Sequence, residues 1–147
     1  MPSFDLARLD LANYPHQVEL ETRFQDLDPL NHINNVAMAG IFENGRVRFN
    51  RDMVDFIAQR EAGDRWLVAR VEVNYLAEAH FPDPILIGNA IGHIGNRSWH
   101  ILSAASQNGQ IVALCDTVLV YQSGSGAGAI ADDMRQELQA RRFKIGF

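Results

Sequence analysis

A chain of 147 residues has room for one ordinary domain with its own core and not for two. Hydrophobic residues at 47% and charged residues at 21% match a globular composition and exclude a disordered, collagen-like or coiled-coil chain. The formal net charge of -5, from 13 Lys+Arg against 18 Asp+Glu, leaves no basic excess to neutralise a phosphate backbone, so nucleic acid is not an expected partner.

The N-terminal stretch MPSFDLARLDLANYPHQ lacks a basic start followed by an unbroken apolar block. No window approaches ~18 consecutive apolar residues, so no membrane partner is expected and the expected location is cytoplasmic. VELETRFQ, Val18 to Gln25, alternates: Val18, Leu20, Thr22 and Phe24 face one way, and Glu19, Glu21, Arg23 and Gln25 the other. This predicts a strand with one wet face. RFQDLDPLNHINNVAMAGIFENGR follows, with two carboxylates, a proline, a histidine and three asparagines crowded just ahead of a helical pattern. Met38, Ile41, Phe42, Gly45, Phe49, Met53, Phe56 and Ile57 recur at intervals of three and four, opposed by Asn44, Arg48, Arg51 and Asp55. An amphipathic helix from about Asn35 to Ala58 is predicted, with Asn34 as its cap.

The remainder reads as strands. WLVARVEVNYLAE alternates Leu67, Ala69, Val71, Val73 and Tyr75 against Val68, Arg70, Glu72 and Asn74, until FPDP ends it. ILIGNAIGHI, SWHILSAAS and IVALCDTVLVYQ are joined by a GNR turn and by Asn108-Gly109, the dipeptide best suited to a tight hairpin turn. These last strands form an antiparallel meander. The single Cys115 lies in an apolar run and reads as a buried, reduced thiol. GSGAGA is a linker, and DDMRQELQARR a short polar helix that either docks on the sheet or frays.

One strand, one long helix and then four strands, with DLDPLNHINN leading into FENGR, resemble the hotdog-fold acyl-CoA thioesterases, the group of 4-hydroxybenzoyl-CoA thioesterase and, more distantly, the plant acyl-ACP thioesterases. VNYLAEAHFPDPILI and GNRS resemble that family's second-strand and turn segments. The expected class is therefore α+β: an antiparallel five-stranded sheet wrapped around one long central helix. A single hotdog domain would have its core at about 18–122, a linker at 123–129 and a short C-terminal helix at about 130–142.

A thioester is already activated, so its hydrolysis needs a nucleophile or general base, donors for the developing oxyanion, and a sheath for the acyl chain. The resemblance places the catalytic carboxylate on Asp28 and the polarising backbone amide on Asn35, with His32 at the histidine of the motif. Asp28 acting as nucleophile and Asp28 activating a water are both open. Leu30 stands where plant members carry an assisting Asn. Asn31 occupies a position held by Gly in many bacterial members, and Asn tolerates the left-handed backbone. Glu43 has two readings: a carboxylate paired with Arg46 at i+3, or the catalytic group, since another branch of the family uses a helix carboxylate. Arg97 and Ser98 match a segment that approaches the carrier arm, where an arginine meets phosphates. Asp26, Asp28 and His32 lack a fourth ligand, so no metal is expected, and the resemblance implies no cofactor. His80, His93 and His100 carry no motif and read as surface or cross-strand packing. An acyl-CoA substrate and a homodimer or homotetramer are implied, because an edge strand otherwise stays open. A non-catalytic acyl-thioester binding module and a hotdog hydratase or dehydratase are the alternatives.

Overall fold

Asn108 and Gly109 take φ values of 53° and 80°, the left-handed pair that a two-residue hairpin turn requires. The turn joins two of the five strands in a computed structural model that describes residues 4–53, 63–126 and 128–145. The strands are β1 (His16–Leu20), β2 (Arg65–Tyr75), β3 (Ile85–Ile94), β4 (Ser98–Gln107) and β5 (Gln110–Gln122). They form one sheet in the order β1-β3-β4-β5-β2, antiparallel at every pairing. Helix α1 (Asn35–Asp52) and helix α2 (Asp132–Gln139) complete the described elements.

One face of the sheet carries α1. Met38, Ile41 and Phe42 pack with Leu20, Ile85, Ile87, Ala105, Val112, Ala113 and Cys115. Phe49 and Met53 pack with Ile91, Trp99, Ile101 and Leu119, a second cluster closed by Ile130, Met134 and Leu138 of the C-terminal segment. The docking is close: a Cβ on Gly45 would come within 2.7 Å of Ile87 Cγ2, so only glycine lets the helix settle onto β3. The opposite face buries Tyr14, Ala90, Leu102, Ala104, Leu114 and Phe143 under the N-terminal and C-terminal segments. This is the hotdog arrangement that the resemblance implies.

Four expectations need correcting or completing. β1 stops at Leu20 rather than Gln25, because the Thr22 hydroxyl turns to the Asp83 carbonyl and Asp26 accepts from the Arg23 backbone, curling Phe24–Asp26 into a 3-10 turn. Phe24 is thereby exposed instead of facing the core. In β2 a bulge lies between Val68 and Arg70, so Val68, opposite Leu119, shares the helix-side face with Val71, opposite Thr117. Leu67, read as sharing the face of Val71, turns outward. The described helix runs to Asp52, with Met53 as its cap; the expected extension through Phe56 and Ile57 lies outside the described residues. The C-terminal helix is shorter than expected and does not fray away: Met134 and Leu138 are buried.

Candidate active site

The DLDPLNHINN segment folds into a tight loop because its side chains bond its own backbone. Leu27 and Ile33 form an antiparallel bridge. Asp28 N–H donates to the His32 carbonyl at 2.9 Å, and Asn31 N–H to the Asp28 carbonyl at 2.9 Å. Asn31 has φ of 70°, the left-handed conformation for which Asn substitutes for glycine. Asp28 Oδ1 accepts from Leu30 N–H at 2.9 Å and from His32 N–H at 3.2 Å. The carboxylate is therefore oriented by two main-chain donors, and among the described residues Oδ2 has no hydrogen-bond partner.

Asn34 caps α1, its Oδ1 accepting from Ala37 N–H at 2.7 Å. Its backbone N–H and its Nδ2 both donate to the Asp26 carbonyl at 2.9 Å, which ties the helix start to the loop. The cap serves one donor and Met38 N–H bonds the Asn34 carbonyl, leaving the Asn35 and Val36 amides without a partner among the described residues. A cleft of about 520 Å³ opens on them, lined by Arg23, Gln25, Asp26, Asn34, Asn35, Val36 and Ala37. Asp26, not Asp28, lines this cleft. It is buried and held by Arg23 at 2.7 Å, which also raises the Arg23 pKa.

His32 and Asp28 meet only through the backbone. The imidazole turns away: Nε2 lies 3.0 Å from Glu78 Oε2, and the ring packs edge-on against His80 at 5.5 Å. Sequence did not single out Glu78 and read His80 as surface or cross-strand packing, since nothing in AEAHFPDP has a spacing relation to the loop. Ile33 N–H bonds the Ala79 carbonyl at 2.8 Å, and buried Gln107 grips both backbone groups of His80, so the β2–β3 connection is clamped beside the Asp28 loop. Tyr75 donates its hydroxyl to the Asn35 carbonyl at 3.0 Å. Burial first, and Cys115 second, raise the Tyr75 pKa, which keeps it a donor.

The remaining candidates lie elsewhere. Glu43 is exposed on α1 and makes no ion pair with Arg46, which instead turns into the sheet and donates to Thr117 Oγ1 at 3.1 Å. Arg97 and Ser98 sit at the β3–β4 turn, where Arg97 lines a cleft of about 240 Å³ with Leu67, Val120, Tyr121, Gln122, Gly126 and Gly128. That turn is at the far end of the strands from the Asp28 loop, about 30 Å away for strands of this length. One chain does not bring Arg97 and Ser98 to Asp28. No group of three or more His, Cys, Asp or Glu among the described residues is arranged to hold a metal. No described helix is long and apolar enough to cross a membrane.

Comparison with solved structures extends over nearly the whole chain. A thioesterase from Thermus thermophilus, solved with coenzyme A and zinc, is 28% identical, with a TM-score of 0.74 over 87% of this chain and 95% of that one. A predicted thioesterase from Bacillus stearothermophilus is 25% identical, with a TM-score of 0.77 over 88% and 98%. A Pseudomonas aeruginosa protein is also 25% identical, with a TM-score of 0.75 over 92% and 96%. Curated proteins give no match. Residues 22–141 match the thioesterase-like superfamily, a span that takes in the Asp28 loop, α1 and four of the five strands, and the chain belongs to that family.

Proposed function

We propose that the protein is a cytoplasmic acyl-CoA thioesterase in which Asp28 acts on the thioester carbonyl, as nucleophile or through a water. The Asn35 amide receives the developing oxyanion. The observation that carries this reading is the coupling of two features on one loop. A carboxylate has one oxygen fixed by main-chain donors and the other unpartnered, and a few residues on, a helix start leaves its first amides open to a cleft. A carboxylate held in this way loses little entropy on reaching the reactive geometry, and unpaired amides at a helix start stabilise an oxyanion with no charged side chain.

The site we propose is built from two chains. β2 is an open edge, with Leu67, Val68, Val71 and Tyr75 all substantially exposed. Antiparallel pairing of β2 with a second copy of itself would reverse that copy end for end. Its β3–β4 turn, with Arg97 and Ser98, would then arrive at the Asp28 loop. Arg97 is suited to a carrier phosphate. A homodimer is the smallest assembly that completes the site.

A second reading has one observation in its favour. The His32–Glu78 pair is the kind of histidine and carboxylate that proton transfer in a hydratase or dehydratase requires. Both readings are tested by incubating the protein with acyl-CoAs varied in chain length and aromaticity, crotonyl-CoA included. Release of free thiol from at least one substrate is the expected result. Hydration of crotonyl-CoA without thiol release would replace hydrolysis by the second reading, and binding without turnover would make the chain a carrier or sensor.

A further inference from the structure

Arg46 is 7% exposed, yet it donates one hydrogen bond, to a neutral hydroxyl, and meets no carboxylate among the described residues. A guanidinium so largely withdrawn from water and facing no carboxylate carries a cost that a carboxylate from a partner would lower. Glu43, one turn before, is exposed and also unpaired among the described residues. Residues three and four apart share one side of a helix. That side looks over β5 and β2: Arg46 reaches Thr117 on β5, and the Asn35 carbonyl, about three turns earlier, receives the Tyr75 hydroxyl from β2.

The register fixes the height of this group. Thr117 lies opposite Val71, near the middle of the edge strand Arg65–Tyr75. A two-fold axis placed at that middle, which pairs β2 with its copy over its full length, sets the two Arg46 side chains level with each other and runs the two helices in opposite directions. Glu43 is about 4.5 Å along the helix from that level. Reversal therefore presents the Glu43 of one copy to the Arg46 of the other.

We infer that, in the dimer proposed above, Glu43 of each copy forms an ion pair with Arg46 of the other beside the two-fold axis. The inference rests on that dimer and goes beyond it by naming the charges that select a second copy of this chain as the partner. It also assigns Glu43 to the interface and away from the chemistry.

The test is a cycle of dimer dissociation constants measured by sedimentation. Glu43→Gln weakens the dimer about thirtyfold or more in the otherwise native chain, and has little effect in an Arg46→Met background, where no charge awaits it. Glu43→Lys, on an exposed position that folding does not depend on, weakens the native dimer further. The pairing is overturned if Glu43→Gln acts equally in both backgrounds, or if Glu43→Lys leaves dissociation unchanged. Thiol release is read separately on wild-type protein, so absence of turnover refutes the thioesterase reading without touching the pairing, and the converse also holds.

Discussion

Arg8 is buried on the outer face of the sheet and fully answered. It pairs with Asp116 at 2.7 Å and donates to the Tyr14 hydroxyl at 2.8 Å and the Ser103 carbonyl at 3.1 Å. Nothing in DLARLD announced this, because Ser103 and Asp116 come from strands far along the chain. The Asp28 loop entered the reading through the resemblance, which lies within one short stretch of sequence, and its bonds likewise run between residues two to four apart. The bond between Tyr75 and the helix start, and the His32–Glu78 pair, are again long-range and had no local signal. Asp116 also bears on His100. Burial first and His93 second lower the His100 pKa, against a smaller raising effect of Asp116. The folded state therefore holds His100 neutral at pH values where the unfolded chain, near its ordinary ~6.5, begins to bind a proton. Stability from this group is complete above that value and declines as pH falls through the lowered folded value. Melting temperature followed from pH 8 to 5 should show an acid-side decline that is shallower in His100→Gln; identical slopes would remove His100 as its source.

At the scale of elements, the cap and the hairpin were both readable, since Asn34 before an apolar periodicity and Asn108-Gly109 between alternating runs each have a local mechanism. The end of β1 and the bulge in β2 were not. An alternating pattern continues in phase until something outside it intervenes, here the Asp83 carbonyl for one and an extra residue opposite β5 for the other. Docking of α2 was also undecided in the sequence, because its two buried residues matter only where Phe49, Met53 and Trp99 leave a gap for them. The Asn34 cap does two things: it satisfies Ala37 N–H and fastens the helix to the Asp26 carbonyl. Asn34→Ala should therefore cost about 1–2 kcal/mol in chemical denaturation, at the upper part of the usual range for a lost cap. A loss below a few tenths would mean that the loop holds the helix start without its side chain.

For the whole molecule, the two halves of the proposed site lie at opposite ends of one sheet, and only an end-for-end copy joins them. Sequence could supply both halves through resemblance but not their separation, which follows from strand length and the order β1-β3-β4-β5-β2. The same order leaves β2 open and the flank of α1 with Arg46 facing it, so in the proposed dimer assembly and catalysis would share one edge. The most direct measurement is thiol release by the Asp28→Asn variant on the best wild-type acyl-CoA, with dimer mass and melting temperature checked alongside. The account predicts an intact dimer whose turnover falls at least about a hundredfold, the cost of about 3 kcal/mol of transition-state stabilisation. Turnover equal to wild type in a folded dimer would contradict it.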